Sequence, residues 1–375
     1  MKNQTLRSKM IVGGMVLVLV PIVVIGLFAA WKSSTAIKDI YGGQTVQIAK
    51  SLTGTVQIFL KEEMGLASSM AIEKSVVDAA KKVGQGGVAS AGPEIEAASA
   101  YLSQVQKRIG ENYEGFTILG PDGVVFADGE GGINKGINAS DREAVKIAKT
   151  TGKIGIGSPV RSKRTGNIIF QVCAPIVDAQ GQYHGAILNL IKIGFLTEQI
   201  NSVKIGKTGY AYMVDKAGTI IVHPNKDFLL SLNLLAKEEL KAVGNLMVAQ
   251  KTGNLDYFFQ GEMRHAGFAP VEMTGWSIGV VQNHSELAAT TNAITLFIAL
   301  SGLIFLVLTA AIILIAARKL TEPIHRVVTG LSESAGQVAS ASSEISSASH
   351  SLAEGAAEQA SSLEETSSSL EEMAS

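Results

Sequence analysis

Two long runs without a charged side chain constrain this 375-residue chain more than any other feature. The first extends from Met10 to Trp31. At about 1.5 Å of rise per residue, a helix of that run is about 33 Å long, enough to cross a hydrocarbon core of roughly 30 Å. Pro21 bends such a helix without ending it. A cleaved leader is the rival reading, but its apolar core is only about 7–15 residues and closes on small residues. Here the run is longer and ends in Trp31-Lys32, so it reads as an anchor. The second run begins after Glu286 and stops before Arg318-Lys319, with its most apolar part from Ile294 to Ala317. Together the two runs lift the hydrophobic share to 46% and the mean hydropathy to +0.26.

The flanking charges orient both spans. Lys2, Arg7 and Lys9 precede the first, and Arg318, Lys319 and Arg326 follow the second. By the positive-inside rule both termini are cytoplasmic. Residues from 32 to 286 then lie outside, in the periplasm if the cell is a bacterium. The net charge of −1 provides no field for nucleic acid. Cys173 is the single cysteine, so an intrachain disulfide is excluded.

The outer segment opens with a helical pattern over 32–82. Ile37, Ile40, Tyr41, Val46, Leu52, Val56, Phe59 and Leu60 recur mostly three and four apart, and Val83-Gly-Gln-Gly-Gly87 breaks the pattern. Pro93-Glu94 reopens a helix to Arg108, with Gly110 in the position of a C′ glycine. The texture then changes to short β-rich runs: GFTIL, GVVFAD, IIFQVCAPIV and YHGAILNLI, separated by Gly-, Pro- and Asp-rich turns. Between them Ser140-Asp-Arg-Glu143 opens a helix ending near Gly152, with capping-box spacing from Ser140 to Glu143. A second, similar unit follows. It has a short helix over 195–203, then the strands GYAYMVD, GTIIVHP, NLDYFFQ, EMRHAGFAP and WSIGVVQ. The pattern predicts two consecutive α+β sheet modules, a distal one over about 94–192 and a proximal one over about 193–284.

Beyond the second span, placed at 291–317, the composition shifts to Ala, Ser and Glu. Leu331, Val338, Ile345, Leu352, Gln359, Thr366 and Met373 fall seven apart. Ala335, Ser342, Ser349, Ala356, Leu363 and Leu370 form a second series that interleaves with the first by three and four. This is the seam of a coiled coil rather than a disordered Ser/Ala tail.

Two resemblances follow from these residues. The segment from Trp31 to His284 resembles the double Cache (PAS-like) sensor family. The likeness rests on SDRE with its helix, GIGSPVRSKRTGN, CAPIVDAQGQYHGAIL and KIGKTGYAYMVDKAGTIIVHPN in that order between two spans. The C-terminal EQASSLEETSSSLEEMAS, residues 358–375, resembles the methyl-accepting chemotaxis proteins, in which a pair of acidic or amide residues is flanked by small ones. That resemblance implies that Glu365 and Glu372 accept methyl groups. Glu344, Glu358, Glu365 and Glu372 differ by multiples of seven and share one helical face. It also implies a homodimer, a methyltransferase and a methylesterase, and contact with a chemotaxis kinase and its coupling protein through a hairpin tip. The chain stops inside the first arm of that hairpin, as a fragment of a longer receptor would. Thr321-Glu-Pro-Ile324 looks like the start of a HAMP module, here a remnant over 318–335 without a second helix.

No catalytic constellation stands out, and the chain reads as a receptor without enzymatic activity and without a cofactor. None of the six histidines stands three or four residues from another, so no metal site is expected. Cys173 sits among Val172, Ala174 and Ile176, as a buried apolar thiol does. His223-Pro224 resembles the strand-end dipeptide of the Cache family, which implies a structural role. The amino-acid-binding subclass of the sensor family carries Arg-x-Trp-Tyr; here the stretch reads Asp141-Arg142-Glu143-Ala144-Val145, without the aromatic pair. The resemblance to double Cache sensors implies that the distal module holds the ligand, here expected between its sheet and the segment 136–160. Asp141, Arg142, Arg161 and Arg164, with Lys163, are its candidate residues, and a small organic acid is the candidate ligand, since an arginine fork holds a carboxylate in bidentate fashion. The reading is thus a multi-pass inner-membrane chemoreceptor. A histidine kinase or cyclase built on the same sensor is the alternative, but His325 and His350 lack the setting of a phospho-acceptor. A structural membrane coiled coil would not need two sheet modules. The topology is checked by fusing after Ser375 a reporter that is active only in the periplasm: it stays silent if both termini are cytoplasmic.

Overall fold

A computed structural model describes residues 6–374. The expectation for Lys2 lies outside them, and so do the side chains of Arg7 and Glu372. The chain separates into two compact units: Lys32–Ile294, and the stretches on either side of it.

Helix α1 (Leu6–Ala71) is one continuous helix. Over its second half Leu52, Val56, Leu60, Glu63, Ala67, Met70 and Ala71 are buried, three and four apart. It stops earlier than the pattern over 32–82 suggests. Continuing the stripe would bury Lys74 and Asp78, whereas Val76, Ala79 and Ala80 are the buried residues that follow. The apolar stripe slips around the helix, so the chain turns at Ile72-Glu73 and restarts as α2 (Lys74–Gly86). Helix α3 (Gly92–Ile109) packs on α2, with Pro93 in its first turn, where a missing N–H costs nothing. Gly110 is right-handed (φ −71°) and leads into a 3₁₀ turn, so it is not the left-handed C′ residue that its position suggested.

The distal sheet contains β1 (Tyr113–Leu119), β2 (Val125–Asp128), β3 (Gly155–Ile156), β4 (Val160–Arg161), β5 (Ile168–Val177) and β6 (Tyr183–Lys192). Its order is β2-β1-β6-β5-β3, with β4 also on β5 and every pairing antiparallel. Helix α4 (Glu143–Thr151) connects β2 to β3 and ends on the left-handed Gly152. Successive residues of the strands face opposite sides of the sheet, and both sides are covered. Phe116, Ile118, Phe170, Val172, Ile187 and Ile191 join the core shared with α1–α3, and Leu119, Cys173, Ala186 and Leu188 join a second core with α4. Cys173 is fully buried, and burial pushes its thiol up to about 12.

The proximal module begins with α5 (Gly194–Asn201). Its sheet runs β8-β7-β11-β10-β9, from β7 (Tyr210–Val214), β8 (Ile220–Val222), β9 (Gly253–Phe259), β10 (Glu262–Val271) and β11 (Trp276–Asn283). Helix α6 (Glu238–Val248) was not read from the sequence; it covers the sheet face opposite α1 through Leu240, Val243 and Met247. His223, just after β8, is buried: its Nδ1 accepts the Asn225 N–H at 2.8 Å, and burial lowers its pKa to about 4.

Helix α7 (His284–Ala374) is uninterrupted through Pro323. A Cβ on Gly14 of α1 would lie 3.4 Å from Ile313 of α7, so the two apolar stretches meet at a small residue. Leu17 and Phe305 stand on exposed faces of the same pair, and both helices are long and apolar enough to cross a membrane.

The seat of α1 on the proximal sheet depends on Gly267 of β10. A Cβ there would fall 2.4 Å from the Val46 nitrogen and 2.5 Å from Thr45 Oγ1. Gly267→Ala is therefore expected to cost about 1–3 kcal/mol by overpacking. Gly194→Ala, with open space where its Cβ would lie, should leave thermal unfolding of the unit Lys32–Ile294 unchanged.

Candidate functional site

A polar opening lies on the α4 side of the distal sheet. It is a cavity of about 290 Å³. Ile169, Leu188, Leu190 and Val125 form an apolar floor, with Thr117 and Gln171 as polar insertions. Asn134, Ile137, Ala139 and Arg142 come from the connection after β2, and Ser162, Lys163 and Arg164 from the turn after β4. At roughly 30 Å³ per water, the space suits a ligand of on the order of ten heavy atoms.

Asp128, at the end of β2 and 1% exposed, shapes the rim. Its carboxylate accepts the N–H groups of Glu130 (3.0 Å), Gly132 (2.6 Å) and Asn134 (2.6 Å), which folds the Gly-rich segment back over the sheet. The fold brings Glu130 to Arg164, with Oε2 3.0 Å from Nη2, and to the Asn134 amide at 3.1 Å. Arg164 Nη2 also donates to the Glu114 carbonyl at 2.9 Å. The Glu114 carboxylate, 4% exposed, is taken by the hydroxyls of Ser162 and Thr165.

The four residues singled out from the sequence fare differently. Arg142 and Arg164 line the cavity, as does Lys163. Arg161 does not: β4 turns it outward, and its Nη1 donates to the Gly166 carbonyl at 2.9 Å. Asp141 is exposed, and its Oδ1 lies 4.0 Å from Arg142 Nε, at the limit of an ion pair. The capping box is not formed either. Helix α4 begins at Glu143, with Arg142 as its N-cap residue, so Glu143 stands in the first helical position and not in the third. Its carboxylate instead accepts the Ser158 N–H and hydroxyl, at 3.0 and 2.8 Å, and pairs with Lys216 of the proximal module. Burial raises the Glu143 pKa, but Lys216 and Ser158 outweigh it, and the carboxyl lies below its ordinary range.

Sequence reasoning missed Glu114, Asp128, Glu130, Asn134 and Gln171. Two had a visible signal. Asp128 ends a strand just before a Gly-rich run, where an aspartate accepts local N–H groups, and Glu114 interrupts an otherwise apolar strand.

Residues 33–291 match the model of the Cache domain family, dCache_1. The chain belongs to that family. Its curated relatives are methyl-accepting chemotaxis proteins. McpA of Bacillus subtilis is 21% identical over 348 residues, covering 87% of this chain and 46% of its own. McpB of the same species is 26% identical over 186 residues, covering 48% of this chain and 26% of its own. The chain spans between a fifth and a half of the length of the relatives it matches. Among solved structures, the ligand-binding domain of Mlp24 with asparagine superposes with a TM-score of 0.50 at 20% identity, over 69% of this chain and 99% of that one. The same Cache fold recurs in the extracellular domain of mmHK1S-Z3, named as a histidine kinase, so the fold by itself does not fix the output module.

The contrast between two arginines tests the site. With a carboxylate bound in the cavity, Arg142→Ala should cost about 2–5 kcal/mol of binding, the effect of breaking a buried charged pair. Arg161→Ala, on the outer face, should leave the calorimetric affinity unchanged.

Proposed function

We propose that the chain is the sensing and membrane-spanning part of a methyl-accepting chemoreceptor. It binds a small organic acid outside the cell and has no enzymatic activity of its own. The observation that carries this reading is the distal cavity, where Arg142, Lys163 and Arg164 stand over an apolar floor. Such a site suits one carboxylate on a short apolar body: the cations hold the head, and Ile169, Leu188 and Leu190 receive the rest. Mlp24 was solved with asparagine, and an α-amino acid shares the carboxylate. The aromatic pair expected of an amino-acid site is absent from this stretch of sequence, which favours an acid without the ammonium group.

The rest of the chain suits transmission. With both termini cytoplasmic, α1 and α7 are the two spans of an inner-membrane protein. In the single chain Leu331, Val338, Ile345 and Leu352 of α7 lie exposed, seven residues apart, and a second copy of the chain would cover them as a coiled coil. The longer receptor would reach its chemotaxis kinase and coupling protein through residues that follow this arm. Esterification of Glu365 and Glu372 by a methyltransferase, reversed by a methylesterase, would remove one negative charge at each site and tune the helix packing. The kinase or cyclase alternative rests on the fold alone, whereas the relatives that extend into the C-terminal helix are chemotaxis proteins.

Mass spectrometry of the intact receptor incubated with its methyltransferase checks the modification. Glu365→Ala with Glu372→Ala should abolish most of the methyl label carried by this arm. Label that stays at the parent level would mean other glutamates are the acceptors.

A further inference from the structure

Strand β1 breaks its own alternation at one point. Phe116 and Ile118 face the helices, and Leu119 and Thr117 face the cavity side. Strict alternation would send Glu114 into the helical core and Tyr113 towards the cavity. The pairing with β6 prevents this. Tyr113 stands opposite Ile191 and Gly115 opposite Leu190, so two steps of β1 match one step of β6. This is a β-bulge, and it places Glu114 and Gly115 on the same face. A Cβ on Gly115 would lie 3.0 Å from Glu130 Oε2, on the cavity side. Tyr113 is thereby returned to the helical side, with its ring centroid 4.7 Å from that of Phe116.

The bulge is held from both faces. On the cavity side Ser162 and Thr165 donate to the Glu114 carboxylate, and Arg164 donates to the Glu114 carbonyl. On the helical side the Tyr113 hydroxyl donates to Glu63 Oε1 of α1 at 2.7 Å. Glu63 is 6% exposed, among positions of α1 otherwise filled by Leu60, Ala67 and Met70. Its second oxygen has no hydrogen-bond partner among the described residues. A carboxyl in an apolar helix–sheet seam is costly to bury, and packing would be served better by a leucine. Among the described residues, the hydrogen bond that the Glu63 side chain makes is the one to the bulge.

We propose that this bulge is the relay between the distal cavity and α1: an anion that recruits Arg164 withdraws it from the Glu114 carbonyl, the bulge relaxes, and the Tyr113–Glu63 hydrogen bond passes the shift to α1. The same helix carries the apolar run from Met10 to Trp31. Tyr113 and Glu63 are positioning residues that never touch the ligand. The inference rests on the reading of the cavity as an anion site only for its trigger; the connection from Arg164 to Glu63 exists without a ligand.

Hydrogen exchange on the full chain in lipid nanodiscs tests the connection first without ligand. Arg164→Gln should raise amide exchange over residues 60–67 of α1 by about three- to tenfold, the loss of about one hydrogen bond. Ser162→Ala should act in the same direction. Tyr113→Phe should match Arg164→Gln, and the double variant should exceed neither single one. Arg161→Gln, outside the cavity, should leave α1 at the parent rate. Unchanged α1 exchange in Arg164→Gln, or effects that simply add in the double variant, would overturn the relay. A second arm uses pentanoate as the probe, followed by calorimetry and exchange. Tyr113→Phe should bind pentanoate with the parent's affinity but lose the pentanoate-induced change in α1. If that change persists in Tyr113→Phe, the relay is wrong. If the parent does not bind pentanoate, the anion reading fails on its own, and the ligand-free arm still decides the connection.

Discussion

The structure of the sensor depends on a single helix covering one face of two sheets. Each sheet has an apolar face that must be buried, and α1 is the element common to both. Its residues join the same core as Phe170 and Val172 of the distal sheet and Met213, Trp276 and Ile278 of the proximal one. Aromatic contacts bridge the modules within that core: Phe59 of α1 packs on Phe170 at 6.3 Å, and Phe170 meets Trp276 edge-on at 5.7 Å. A close-packed interior does not deform gradually. A change in either sheet is therefore met by a change in how α1 sits, and the glycine at 267 shows how little clearance the seat has.

The opposite faces of the two sheets have different fates. In the proximal module α6 and the segment after β8 fill the space, and Phe228, Leu232 and Leu234 leave a cavity of only about 20 Å³ among Tyr210, Tyr212 and Tyr257. In the distal module α4 packs on the sheet through Ala144, Val145 and Ala148, and the segment after β2 leaves an opening beside it. Asp128 folds the Gly-rich stretch around its own carboxylate, and Glu143 is drawn to Ser158 and Lys216. The rim of the cavity thus follows in part from where two carboxylates find their partners. Both are supports of the opening rather than groups facing its interior.

The order of elements was legible because it follows from local signals. Period-two runs between Gly- and Asp-rich turns located nine strands, and the two charge-free runs located the apolar helices. Two kinds of information were not local. The break at Ile72-Glu73 carries no proline or glycine; it follows from a slip in which face of the helix is apolar, visible only once the partner surface is known. The site was half legible. Arg142 and Arg164 were found because cationic residues near a Gly-rich connection suggest an anion. Arg161, two residues along a short strand, points the other way because side chains alternate. Glu114 was visible as a charged residue beside the strand, but the bulge reverses the face that alternation assigns to it.

A ligand can shift a two-state protein only by the difference in its affinity for the two states. Arg164 is already engaged, by Glu130 and by the Glu114 carbonyl. An anion that takes it must replace those bonds, so part of its binding free energy goes into rearranging the protein. A cavity with an uncommitted arginine would bind more tightly and report less. The partners that Arg164 gives up also set the ceiling on the signal: a hydrogen bond to a charged group is worth about 1.5–3 kcal/mol, or roughly ten- to hundredfold in an equilibrium. On the proposed reading, adaptation has to offset a shift of that size from the far end of α7. One exposed carboxylate does little alone, since surface charges are screened. On that reading the glutamates that differ by multiples of seven, Glu344, Glu358 and Glu365 among them, gather several small charges on one face of the helix, of which Glu365 is a proposed switch. Their number follows from the weakness of each.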